Sequence, residues 1–162
     1  MVYRIATALA AAGTVLLAAA STTSPAAASA AAYRSSPAAA SATVSLAAIS
    51  GIPGKALVGS NRHTLYLFEA DKNDKSTCTG ACAIAWPPDT VTGKPRAGSG
   101  VHQALLGTVK RSDGTTQVTY NRHPLYYYAG DTSAGTANGQ GSTAFGAGWF
   151  VVNASGNLIN TR

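Results

Sequence analysis

The chain has only two cysteines, Cys78 and Cys82, and none stands before them. A bacterial chain tethered by lipid carries a cysteine directly after its signal, so lipid attachment by that route is excluded. Several catalytic signatures are missing as well: no G-x-S-x-G, no H-E-x-x-H and no P-loop occur. The Gly-rich stretch from Gly135 to Gly148 shows no phosphate-cradling pattern leading into a helix. Charge is sparse, and no basic helix or basic-aromatic pattern of a nucleic-acid binder appears. After residue 20, no apolar run reaches the roughly 20 residues that a membrane-spanning helix needs. These absences leave the chemistry, if any, unspecified.

What the chain does contain is a repeat. The eleven residues from Asn61 to Asp71 return sixty positions later as Asn121 to Asp131, and Asn, Arg, His, Leu, Tyr and the closing Asp are identical. Such self-similarity marks an internal duplication. It runs on past the strand: Asp71 is followed by Trp86 and Asp131 by Trp149, with three more residues in the second interval. Each unit thus reads as strand, Asp, long loop, Trp. The units span about residues 55–88 and 115–153.

Before the repeat, residues 1–30 have the form of a secretory signal peptide. Arg4 gives the positive start, Ile5 to Ala20 the apolar run, and Ala28-Ser29-Ala30 a small-residue cleavage pattern, with Ala18-Ala19-Ala20 as an earlier alternative. Cleavage after Ala20 or Ala30 exports the protein, extracellular or held at the cell wall. Residues 31–53 are rich in Ala, Ser and Pro, with almost no charge. They read as a flexible linker, because they bury too little to offset ordering entropy; a helical turn or two from Val44 to Ile49 is the alternative.

Residues 54–162 make one domain. Short runs of Tyr, Val, Leu and Thr between Gly and polar turns predict a mainly β, antiparallel fold of two related halves, a sandwich or a barrel-like sheet pair. Hairpins are expected at 56–68 around Asn61-Arg62 and at 105–120 around Asp113-Gly114. A strand over Leu125 to Tyr128 should start no earlier than Pro124, which has no N–H to donate. Strands at 149–153 and 158–160 close the domain, and Thr79 to Trp86 is the one short helix. Alternation puts Tyr66 and Phe68 on one face with Tyr126 and Tyr128, and Leu65 and Leu67 on the other with Leu125 and Tyr127. Both faces are apolar, so both strands should be buried.

Leu65-Tyr66-x-Phe68-x-x-Asp71, Ser76-x-Cys78-x-Gly80-x-Cys82-Ala83 and Trp86-Pro87-Pro88 occur in that order. Gln117-Val118-Thr119-Tyr120-Asn121, Pro124-Leu125-Tyr126 and Gly139-Gln140-Gly141 follow. Together they resemble the bacterial secreted repeat family of unknown function, many of whose members are described as predicted lipoproteins. The resemblance implies a secreted or surface-exposed protein of paired repeats and brings no activity with it.

The repeated residues are the natural site candidates. Asp71 and Asp131 fix the next turn by accepting backbone N–H groups, or bind a ligand. Trp86 and Trp149, with Tyr66 and Tyr126, either fill the core or form an exposed platform for sugars. His63 and His123 recur in turns, and His102 stands alone; none has a nearby histidine partner. Without Arg4 the chain keeps eleven basic and six acidic residues, a net charge of +5. That favours anionic cell-wall polymers as partners. Cys78 and Cys82 in an exported chain suggest a disulfide, which at this spacing needs Gly80 to tighten the backbone. The same spacing suits copper, with His63 completing a site. Three readings remain open: a non-catalytic module binding or organising the cell envelope, a redox or copper-handling protein built on Cys78 and Cys82, and a carbohydrate binder using exposed aromatics.

Overall fold

The structure is a computed structural model and describes residues 43–72 and 74–161. Expectations for residues 1–42, the signal and most of the linker, lie outside the described residues. The described chain is mainly strands in small antiparallel sheets, with almost no helix.

Strand β1 (Val44–Ala48) pairs antiparallel with β2 (Lys55–Gly59). This corrects the linker boundary. Residues 43–53 are part of the fold, and Val44 to Ile49 form no helical turn. Val44 is fully buried, as is its cross-strand neighbourhood Leu57 and Val58. Pairing with β2 outweighs the helix preference of the alanines, as tertiary context commonly does. The hairpin at 56–68 is looser than expected. A single bridge joins Val58 to Thr64, and β3 (Tyr66–Phe68) pairs instead with β7 (Trp149–Val151).

The second half opens on the same plan. Strand β4 (Leu106–Lys110) pairs with β5 (Thr116–Tyr120), and β6 (His123–Pro124) adds to β5. Asn121 and Arg122 both have positive φ, 46° and 68°. That is the two-residue turn whose twist suits a hairpin, and it sets His123 opposite Tyr120. The strand therefore starts at His123, one residue before the proline, and it ends at Pro124. Leu125 to Tyr128 is not a continuous strand; Tyr126 bridges both Tyr66 and Pro88. Helix α1 (Ala81–Ala85) is the only α-helix among the described residues.

The two apolar faces are as the alternation required. Tyr66, Phe68 and Tyr126, with Tyr128 partly buried, lie in one core cluster; Leu65, Leu67 and Leu125, with Tyr127 partly buried, lie in the other. Tyr66 and Tyr126 exchange backbone hydrogen bonds, N to O, at 2.8 and 2.9 Å. The duplicated strands thus meet at this pair.

Candidate functional site

Each repeated tyrosine is tied to the aspartate of the other repeat. Tyr66 Oη donates to Asp131 Oδ2 at 2.5 Å, and Tyr126 Oη donates to Asp71 Oδ2 at 2.6 Å. The other oxygen of each carboxylate holds the following loop: Asp71 Oδ1 accepts the Thr77 N–H, and Asp131 Oδ1 accepts the Asn138 N–H, both at 2.7 Å. Burial, reinforced by the neighbouring carboxylate, pushes both phenols well above their ordinary range.

The stacked aromatic rings also cross between the repeats, whereas the edge-on contacts of Tyr66 and Tyr126 with tryptophan stay within each. Trp86 and Trp149 stack at 3.9 Å, Phe68 stacks on Trp149 at 4.1 Å, and Tyr128 lies on Trp86 at 4.3 Å. Tyr66 meets Trp86 edge-on and Tyr126 meets Trp149 edge-on. Both tryptophans are buried, at 1% and 0% exposure. A buried aromatic removes about 150–250 Å² from water, roughly 4–6 kcal/mol at the usual coefficient. These rings are the core. The reading of Trp86, Trp149, Tyr66 and Tyr126 as an exposed sugar platform is corrected: no open ring face remains on them for a sugar. Asp71 and Asp131 act as the anchors of their loops.

Cys78 and Cys82 form a disulfide, with Cα atoms 5.2 Å apart and Gly80 at φ 56° between them. His63 is engaged elsewhere, its Nδ1 lying 2.9 Å from the Asp131 carbonyl. Among the described residues, no group of three His, Cys, Asp or Glu side chains is gathered as a metal site. The copper reading needed Cys78, Cys82 and His63 together, and the fold does not assemble them. His123 is half-buried, and its imidazole is held below its usual range, by burial first and then by Lys72.

Two features escaped the sequence reading. The first is Arg111, buried against the cystine loop. Its Nη2 donates to the Cys78 carbonyl at 2.7 Å, and its Nη1 donates to Gln117 Oε1 at 2.8 Å and to Ser76 Oγ. Its Nε reaches Asp113 Oδ2 at 3.2 Å. Thr115, then Arg111, holds the exposed Asp113 carboxyl down to about 2.

The second is a groove of about 810 Å³ beside the segment that follows Trp86. Lys94, Arg96 and Lys110 line it, together with the hydroxyls of Thr43, Ser60, Thr90, Thr92, Thr115 and Thr116; its only carboxylate is Asp89. The three cations are exposed, and none is in an ion pair among the described residues. The wall is well braced. Thr43 N donates to the Arg96 carbonyl at 2.9 Å, the Arg96 N–H donates to Thr43 Oγ1 at 3.0 Å, Gln103 Nε2 donates to the Pro95 carbonyl at 3.0 Å, and Val91 N donates to the Thr116 carbonyl at 2.9 Å.

Asp89 is 4% exposed. Its Oδ1 accepts the Tyr127 hydroxyl at 3.0 Å, while Oδ2 has no hydrogen-bond partner. Burial pushes its carboxyl up to about 6, against the opposing hydrogen bond from Tyr127. Aligning the repeats on Trp86 and Trp149 sets Asp89 against Val152, a signal the sequence did contain.

The chain's sequence matches the family described as a secreted repeat of unknown function over residues 48–89 and 107–153, more than half its length. The chain belongs to this family. The family's description makes it a secreted protein built of two repeats. Both matched segments begin earlier than residues 55 and 115, taking in part of β1 and most of β4, the opening hairpin strands of each half. No curated protein and no solved structure matches the chain. Among the described residues, no helix is long and apolar enough to cross a membrane.

Proposed function

We propose that the protein is a secreted, non-catalytic module that binds anionic polymers of the cell envelope in the groove beside Asp89. One observation carries this reading: Lys94, Arg96 and Lys110 line a braced groove whose only lining carboxylate is the buried Asp89, and none of the three is in an ion pair among the described residues. Structural surface cations are often interspersed with acids; here the one acid is buried beneath them and paired with a tyrosine. Three cations near a common hollow attract phosphate or carboxylate groups and lose that attraction as salt screens them. The residues outside the repeated core supply the site, and the repeated core holds it rigid.

The test is retention of the secreted protein on purified cell-wall material at low and high salt, beside a Lys94→Glu, Arg96→Glu, Lys110→Glu variant. Wild-type protein retained at low salt, released by high salt, and not retained once the charges are reversed is the expected result. Equal retention of both proteins, or none of the wild type, removes the proposal. The disulfide leaves a redox role as the second reading, and reduction of Cys78–Cys82 without loss of wall retention separates the two.

A further inference from the structure

We infer that the groove's ligand is a polyol phosphodiester, its phosphates met by Lys94, Arg96 and Lys110 and one of its hydroxyls donated to Asp89. This rests on the polyanion reading above and adds the hydroxyl to it.

The argument comes from comparing the two repeats. Counted from the tryptophans, Asp89 corresponds to Val152, and their backbones do the same work. The Asp89 carbonyl accepts the Val118 N–H, as the Val152 carbonyl accepts the Leu57 N–H, each at 2.8 Å. The Tyr127 N–H donates to the Pro87 carbonyl, where its counterpart Leu67 pairs with Phe150. One half therefore has an apolar pair, Val152 and Leu67, where the other has Asp89 and Tyr127. Val152 and Leu67 are both buried. The fold is satisfied by the apolar pair, so it does not itself require a carboxylate at this place.

A third position changes with them. A Cβ on Gly59 would lie 1.9 Å from Tyr127 Oη, and the residue in the corresponding place of the other half is Tyr120, which pairs with His123 as Gly59 does with His63. Gly59 leaves the room that the tyrosine hydroxyl needs to reach Asp89. Three residues thus depart together from the repeated pattern: Asp89 in the groove wall, Tyr127 bonded to it and Gly59 against Tyr127. What they produce is a buried acceptor, Oδ2, with no partner inside the protein. A buried polar group left unpaired is costly and calls for an explanation. A donor brought by a ligand supplies the missing partner. The oxygen is closed to bulk water in this structure, so the ligand hydroxyl reaches it by displacing groove-lining side chains. Ser60 and Thr90, exposed and next in sequence to Gly59 and Asp89, line the groove at this place. Hydroxyl donation to a carboxylate and phosphate contact with lysine and arginine are both charge-assisted, and so among the stronger hydrogen bonds.

The probes are soluble poly(glycerol phosphate), inorganic polyphosphate of matched charge, and vesicles of phosphatidylglycerol in phosphatidylcholine. Binding of the full secreted protein is measured by calorimetry or sedimentation, with Asp89→Asn and the paired Asp89→Val, Tyr127→Phe variant alongside. The wild type should prefer poly(glycerol phosphate) over polyphosphate by about tenfold, the scale of one charge-assisted hydrogen bond. Both variants should bind the two polyanions equally, because Val removes the free acceptor and Asn, with its carbonyl oxygen on Tyr127, leaves an uncharged N–H donor in its place, while the cations stay. Tight binding to the vesicles and not to the polymer would locate the same chemistry in a lipid headgroup rather than a wall polymer. Equal wild-type binding of polymer and polyphosphate overturns this inference and leaves the polyanion reading standing. No binding of any of the three probes removes both. A preference that survives in both variants would assign Asp89 to structure alone.

Discussion

Replacing Asp89 by Val and Tyr127 by Phe should stabilise the protein at neutral pH, and by an amount that fades in acid. Burial raises the Asp89 carboxyl from 3.8 to about 6 in the folded chain. A carboxyl raised on folding binds its proton more tightly in the native state. Its contribution therefore favours the fold fully below pH 4 and is lost as pH rises through 6. Above that, the fold is about 3 kcal/mol less stable on this group's account than at pH 4, from roughly two pH units at 1.36 kcal/mol each. The paired variant removes the carboxylate and also the hydroxyl that would be left without an acceptor, and it keeps the volume nearly constant. It should gain up to about 3 kcal/mol at pH 7.5, which in a domain of this size is roughly 10 °C or more in Tm. By pH 4 most of that gain should be gone. Urea unfolding of the wild type and variant at pH 7.5, 5.5 and 4 measures the difference directly, since the other titrating group removed, the Tyr127 phenol, is raised by burial and stays protonated across this range. A variant destabilised at pH 7.5, or a gain as large at pH 4 as at pH 7.5, would refute the assignment of Asp89 as a carboxylate the fold does not need.

Gly59→Ala should cost about 1–3 kcal/mol by overpacking and detach Tyr127 from Asp89, visible as a lower phenol pKa in an ultraviolet pH titration; an unchanged titration would contradict the close approach. Tyr66→Phe and Tyr126→Phe should each cost about 1.5–3 kcal/mol, the range for a hydrogen bond to a charged group. Similar costs for the two in thermal unfolding would fit their exchanged roles, and a negligible cost for either would break that pairing. Thiol titration of the secreted, unfolded protein should find no free thiol, and removing the five-residue Cys78–Cys82 loop closure should cost only about 2 kcal/mol.

Much of the fold was legible because the duplicated residues do duplicated work. The strand period of two separated Tyr66 and Phe68 from Leu65 and Leu67, and the two clusters divide along that line. The recurring Asp and Trp marked the loop anchors and the ring stack, although the repeat alone did not show that each tyrosine is bound by the opposite aspartate. The strand at Val44–Ala48 was hidden in a composition dominated by Ala and Ser; only its partner β2 gives it a reason to extend. Pro124 suggested a strand start, but the turn at Asn121-Arg122 set the register one residue earlier. Lys94, Arg96 and Lys110 looked scattered because sixteen positions separate the first from the last, and the pairing of residue 91 with residue 116 is what brings those segments to one groove.

The repetition that identifies the fold also directs attention away from the site. A residue kept in both copies is one that the two halves need equally: the repeated Asn, Arg and His lie in or next to the turns, and Tyr66 and Tyr126, Asp71 and Asp131, Trp86 and Trp149 are buried. A groove present once cannot be announced by residues present twice. Its members lie between the matched segments, as Lys94 and Arg96 do, or stand where the halves disagree, as Asp89 does with Tyr127 and Gly59 behind it. Divergence at a buried position is the more telling of the two kinds. Surface residues drift at little cost, typically within about 0.5 kcal/mol, whereas a carboxylate placed opposite a valine in a tightly packed fold is opposed by several times that. Persisting against such a cost implies a compensating interaction, and the cationic hollow above Asp89 is where a ligand would provide it.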